Sequence, residues 1–293
     1  MADITGVEEG VGLTALMVAA ARAIETYRHD TLAQDVYAEH FVRAARASAG
    51  WPVRPQQVAD GEVDPLWGRL GRYFGLRTRV FDDFVLRRTG EGTRQVVLLG
   101  AGLDTRAYRL DWPPGCRIFE IDQNGVLAFK DRVLDGLSAV PKTERVTIAT
   151  DLRLEWTRAL TDAGFDPAVP TVWIAEGLLL YLSPAAERAL IAAVGALSPT
   201  GSALAYEIKL GPESTAIRES PIYSVAKQTG IDLIAMFDLD PRPDSAADLA
   251  ARGWRTSIHT AFDFTHRYGR GPQPTPERPD ALAANRWVFA TRP

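Results

Sequence analysis

One cysteine, Cys116, stands in 293 residues, which excludes an internal disulfide and any zinc site built on several cysteines. Lysine is almost as scarce, occurring only at Lys130, Lys142, Lys209 and Lys227, and the arginine bias of the other basic residues points to no function. A net charge of −4 and a pI of about 5.7 leave no general attraction to nucleic acid or to an anionic membrane surface. No apolar run approaches the ~18 residues that a membrane span needs, and the opening MADITGVEEG lacks the basic-then-apolar order of a secretory signal. Internal repeats and low-complexity tracts are missing too. These absences predict a soluble cytoplasmic protein without a metal, with neither nucleic acid nor membrane as partner. Nothing in the pattern sets an oligomeric state.

What is present is a chain that is 46% hydrophobic, enough to bury a full core. Apolar runs that alternate with helical patterns begin at Gln95. Strands are expected at 95–99, 117–121, 145–149, 171–175 and 202–208, with helices at about 104–110, 123–136, 153–163 and 184–197 between them. That alternation predicts a parallel sheet with right-handed crossovers and ligands beyond the carboxyl ends of the strands. Upstream, helices are expected at 13–27, about 36–47 and 66–88, with an ordered loop around Trp51 to Pro65. Downstream, 211–239 breaks the alternation, 249–254 is expected to complete a further helix, and strands are expected over 256–264 and 285–292. Gly269 to Asp280 reads as a surface loop. The whole is expected to be one domain over 1–293, with an N-terminal helical extension at 1–90 and a cap insertion at about 211–250.

The most informative stretch is QVVLLGAGLDTRAYRL, residues 95–110. Val96 to Leu99 are uninterrupted apolar residues, as suits a strand buried on both faces. Gly100 and Gly102 then allow a sharp turn and a close approach of backbone to ligand. A dinucleotide fingerprint would put a third glycine where Thr105 stands, and Asp104 places a carboxylate beside the turn. A pyrophosphate would be repelled there, whereas an ammonium or sulfonium would not. Asp122 stands 20 residues after Gly102, close to the ~20 expected of the acid that binds ribose hydroxyls.

Further motifs occur in order: FEID at Phe119 to Asp122, TDL at Thr150 to Leu152, EGLLLYL at Glu176 to Leu182 and RTRVFDD at Arg77 to Asp83. Arg22 and Asp35-Val36-Tyr37-Ala38 precede them. Together with LLGAGLDTRAYRL these resemble the leucine carboxyl methyltransferase family of S-adenosylmethionine-dependent O-methyltransferases, whose bacterial branch includes polyketide carboxyl methyltransferases. The resemblance implies an α/β Rossmann-like class I fold, with a seven-stranded, mostly parallel sheet in the order 3-2-1-4-5-7-6, helices on both faces and an added helical cap. It also implies S-adenosyl-L-methionine as cofactor. Gly100, Ala101 and Gly102 would admit its methionyl part, Asp122 with Gln123 its ribose, and Asp151 with Leu152 its adenine, a helix cap being the alternative for Asp151. Glu176, followed by Gly177, would take the ammonium or else cap the next segment. Arg77 would pair with the cofactor carboxylate through its planar fork, the alternative being a salt bridge to Asp82. Arg79 competes with Arg77 for that role.

The acceptor side is read from fewer residues. A small-molecule carboxylate is ionised at neutral pH and needs no base, whereas a phenol with pKa ~10 would benefit from one. His259 and His266 are the candidate bases. Tyr181, Tyr223 and Tyr206 are candidates for lining the pocket, with core packing expected of Tyr206. Methylation of a specialised-metabolite carboxylate is what the resemblance implies. The alternatives are methylation of a hydroxyl or a peptide carboxylate, a nicotinamide-dependent oxidoreductase, and a non-catalytic cofactor-binding scaffold.

Overall fold

The apolar runs form one seven-stranded sheet made of β1 (Gln95–Leu99), β2 (Arg117–Asp122), β3 (Glu144–Ala149), β4 (Thr171–Ala175), β5 (Ala203–Lys209), β6 (Arg255–His259) and β7 (Asn285–Thr291). Their order is β3-β2-β1-β4-β5-β7-β6. The first five strands pair in parallel, and β7 runs antiparallel to both β5 and β6. Every residue of β1, β4 and β5 is buried, which is why β1 and β4 read as nearly unbroken apolar runs. The computed structural model describes residues 6–211, 214–274 and 280–293. Residues 1–5 of the N-terminus, 212–213 of the expected cap and 275–279 of the expected surface loop lie outside the described residues.

The N-terminal helices α1 (Val11–Thr26), α2 (Ala38–Ala44) and α3 (Gly71–Gly90) are part of the core. Leu16, Ile24, Phe41 and Phe81 pack with Phe129 and Trp287 in one apolar cluster on one face of the sheet. A tight π-helical turn at Pro65–Leu70, capped by Asp64, leads into α3. Between the strands lie α4 (Arg106–Arg109), α5 (Asn124–Gly136), α6 (Trp156–Asp162) and α7 (Pro184–Ala196). A second cluster, with Leu160, Trp173, Leu190 and Tyr206, fills the opposite face. Among the described residues no helix is long and apolar enough to cross a membrane.

Two expectations change after β5. The cap consists of short helices α8 (Thr215–Arg218), α9 (Pro221–Gln228) and α10 (Leu233–Met236). Next comes α11 (Ser245–Ala251), capped by Asp244, which accepts from the Ala247 N–H at 2.9 Å; it ends before the Trp254 expected to complete it. Ala246 and Leu249 of α11 belong to the second core cluster, so this helix packs on the sheet. The strand expected over 256–264 stops at His259. Thr260 there opens α12 (Ala261–Tyr268) with a capping box, in which Thr260 Oγ1 accepts from the Asp263 N–H and the Asp263 carboxylate accepts from the Thr260 N–H.

Behind β2 the sheet buries a charged knot. Glu120 Oε2 accepts from Lys130 Nζ and Arg145 Nε at 2.8 Å each, and neither Glu120 nor Lys130 has solvent exposure. Removing one partner strands a buried charge, which typically costs about 3–5 kcal/mol, whereas replacing a pair with apolar side chains is often nearly neutral. Glu120→Ala is thus expected to lower the urea-unfolding free energy by about 3–5 kcal/mol. The double replacement Glu120→Leu with Lys130→Met should lower it by much less, because Arg145 keeps Asp131 at 2.7 Å. Equal losses in the two variants would refute this account.

Candidate functional site

The carboxyl ends of β1, β2, β4 and β5 open into one cavity of about 880 Å³. After β1 the backbone reverses through Gly100 and Gly102, at φ 65° and 49°, conformations that glycine adopts without strain. A Cβ at Gly100 would lie 3.0 Å from Leu178 Cδ1, so the turn is also closely covered. The Ala101 N–H donates to the Ile121 carbonyl at 3.0 Å, which carries the β1–β2 ladder to the turn. Asp122 ends β2 facing it: Oδ2 accepts from the Gly102 N–H at 2.6 Å and Oδ1 from the Gln123 N–H at 2.7 Å. Burial raises the Asp122 pKa, while those two N–H groups and Lys130 act against the rise. Each carboxylate oxygen still has a lone pair for an added hydroxyl donor.

Glu176 follows β4 and is held from two sides. Arg77 Nε donates to Oε1 at 2.9 Å, and the Arg106 guanidinium donates to Oε2 at 2.8 Å. Burial alone would raise the Glu176 pKa, but Arg106 and Arg77 bring it below the ordinary value. Arg77 also donates to Glu207 Oε2, and the Tyr73 hydroxyl donates to the other oxygen of Glu207. Arg106 further engages Asp104 and Asp82. Arg77 is therefore the inward residue of the RTRVFDD motif. Arg79 lies at the surface, pairing with Asp83 at 3.0 Å, and Asp82 pairs with Arg106 and Arg109 instead of Arg77.

Asp104 needs a correction. Its carboxylate was expected to repel a pyrophosphate, but it folds onto Arg106; against the effect of burial, that arginine lowers its pKa to about 2. The anion at the turn is engaged by a neighbour two residues away, an arginine it shares with Asp82 and Glu176, and so is not the free carboxylate expected beside the turn.

Asp151 and Leu152 reach the cavity rim. Asp151 closes a turn by accepting from the Arg153 N–H at 2.8 Å and pairing with its guanidinium. It is not the cap of α6, a position that Glu155 occupies. Gln123 and Gly177 also line the cavity.

Of the acceptor-side candidates, Tyr181 and Tyr223 line the cavity and flank Phe237, each ring 6.0 Å from it. Burial pushes the Tyr181 hydroxyl up to about 12 and raises Tyr223 as well, so both keep their protons at neutral pH. The two histidines lie elsewhere. His259 sits on edge strand β6 with its ring 5.3 Å from Phe264 and 6.0 Å from Phe289, and His266 is exposed on α12. Neither lines the cavity. Both are corrected as candidate bases because the sheet order carries β6 away from the strand ends that open the pocket. Tyr206 is fully buried, donating to Ser245 Oγ at 3.1 Å.

Arg106, Glu207, Lys209 and Tyr73 also line the cavity but were missed in the sequence. The available signal was charge in apolar surroundings: Glu207 and Lys209 interrupt the buried strand ALAYEIK at alternate positions, and so share one face.

Comparison with known proteins follows this geometry. The family model for leucine carboxyl methyltransferase matches residues 15–195. A Streptomyces coelicolor protein named as an S-adenosyl-L-methionine-dependent methyltransferase is 65% identical over 289 residues, covering 98% of this chain and 95% of that protein. A Saccharopolyspora erythraea protein of the same description is 45% identical, with 97% and 96% covered. Among solved structures, a DUF574-family protein of Streptomyces avermitilis shares the fold at TM-score 0.54 and 14% identity, covering 93% of this chain and 100% of that one. A Thermobifida fusca protein described as a methyltransferase follows at TM-score 0.51 and 14% identity, with 87% and 94% covered. By sequence, the chain belongs to the leucine carboxyl methyltransferase family.

Proposed function

We propose that this S-adenosylmethionine-dependent methyltransferase acts in the cytoplasm on the carboxylate of an apolar small molecule, such as a polyketide-derived specialised metabolite. The observation that carries the proposal is the continuity of the cavity. One space of about 880 Å³ runs from the glycine turn to an apolar chamber lined by Leu70, Phe74, Ile222, Leu233 and Phe237. That volume lies toward the upper end of the ~300–1,000 Å³ of small-molecule sites, and so suits two reactants side by side.

The residues at the turn fit the cofactor. Gly100 and Gly102 hold the positive-φ turn that brings bare backbone to the cavity, and Asp122 keeps lone pairs for a ribose diol. Leu152 would pack on the adenine and Asp151 would accept from its amino group. Arg77 and Glu176 stand paired, and the two ends of an amino acid would share them, carboxylate to Arg77 and ammonium to Glu176. When bound, the cofactor supplies a methyl group already activated on a sulfonium. The protein's part is then to align the acceptor and exclude water, and such orientation is worth roughly 7–11 kcal/mol in favourable intramolecular systems. Tyr181 and Tyr223 would orient the acceptor as hydroxyl donors.

Among the described residues no histidine lines the cavity, which favours a carboxylate over a phenol. Glu207, an acid in the cavity wall, is already engaged by Arg77 and Tyr73.

Asp122→Ala is expected to weaken S-adenosylhomocysteine binding by roughly 1–3 kcal/mol in calorimetric titration, because the Gly102 N–H and the sugar hydroxyls both lose their acceptor. Unchanged affinity would remove Asp122 from the site. Arg77→Ala should weaken the same binding, whereas Arg79→Ala should leave it unchanged; the reverse order would exchange their roles. For the acceptor, methyl-labelled cofactor incubated with an extract of small acidic metabolites should give a product that releases labelled methanol in mild base, as an ester does. Label that survives the base treatment would identify an ether and a hydroxyl acceptor instead.

A further inference from the structure

Lys209, at the end of β5, lies in the wall of the chamber on the same strand face as Glu207 and is 7% exposed. Its Nζ donates to the Ala281 carbonyl and to Asn285 Oδ1, at 2.9 Å each. The Tyr223 ring lies beside it, with its centroid 5.8 Å from Nζ. These contacts fix the ammonium in place without neutralising it, since both acceptors are uncharged oxygens. Glu207, the acid on its own strand, is committed to Arg77 and Tyr73. Burial lowers the Lys209 pKa to about 8, and the charges of Glu207 and Asp280 resist that fall. An ammonium has three donors, and the described residues use two of them.

Buried cations are ordinarily paired, and the space bordering this one is a chamber whose other walls are Ile222, Leu233, Phe237 and Leu282. With Asn285 Oδ1 committed to Lys209, the amide N–H groups of Asn285 form a second donor set on the same wall. We propose that Lys209, oriented by Asn285 and the Ala281 carbonyl, is the anion anchor of the acceptor site, selecting acceptors that join one carboxylate to an apolar body. This inference rests on the methyltransferase reading, which it deepens by assigning the residue that recognises the acceptor. Held by one oxygen, the carboxylate keeps its other oxygen free.

The test uses the full chain saturated with S-adenosylhomocysteine and titrated with octanoate and with octan-1-ol, which share an apolar tail and differ in charge. Octanoate is expected to bind at least tenfold more tightly than octan-1-ol. Lys209→Met should weaken octanoate at least tenfold, change octan-1-ol by less than twofold and leave S-adenosylhomocysteine affinity unaltered. Lys209→Gln keeps a donor for the Ala281 carbonyl and is expected to behave in the same way, so it supplies the reading if the methionine variant does not fold. Equal octanoate affinity in wild type and variant would overturn the anchor, as would wild-type protein that binds the two probes alike or binds neither. Loss of S-adenosylhomocysteine binding by the wild type would instead refute the cofactor reading, and the octanoate comparison could still be made without it.

Discussion

Glu176 clamped between Arg77 and Arg106 is the interaction on which the site depends. It ties the end of β4 to α3 and to α4, and through the second arm of Arg77 it reaches Glu207 on β5. All of these groups are nearly free of solvent, with side-chain exposures of 3–13%. In so dry a setting a charge without a partner is expensive, so each residue holds the next in one geometry. The chain of charges extends further, from Arg106 to Asp104 and Asp82 and from Asp82 to Arg109.

That network explains why the N-terminal helices matter to a site formed by the sheet. Arg77 enters the cavity only because α3 packs across the sheet through Phe81 and Trp287. Arg22 of α1 donates to the Leu103 carbonyl at 2.6 Å and pairs with Asp35, pinning the segment after the glycine turn from above. The extension thus belongs to the binding wall as well as to the core. The cap supplies the rest, with Tyr223 and Phe237 meeting Tyr181 over the chamber.

Legibility followed the range of the forces involved. β1 and β4 lie where their apolar runs place them, at Gln95–Leu99 and Thr171–Ala175, because a strand buried on both faces leaves no alternative pattern. The relation between Gly102 and Asp122 was also readable, since adjacent parallel strands bring residues at that spacing to one end of the sheet. The role given to Asp104 failed for the opposite reason. Its partner, Arg106, is close in sequence, but only the folded turn directs the two side chains at each other. His259 and His266 looked chemically apt as residue types, yet β6 is the outermost strand and lies away from the cavity.

The sequence by itself determined the alternation of strand and helix, the glycine turn and the acid opposite it, and a set of motifs ordered well enough to indicate the family. Those features arise from residues close along the chain or from a periodicity that repeats within a single element. Only the tertiary structure decided that Arg77 rather than Arg79 points inward, that Glu176 is held by two guanidiniums, and that Lys209 stands with neutral partners beside an apolar chamber. Those outcomes depend on which charges become neighbours once water is removed, and residues from 70 to 130 positions apart in the chain settle that together.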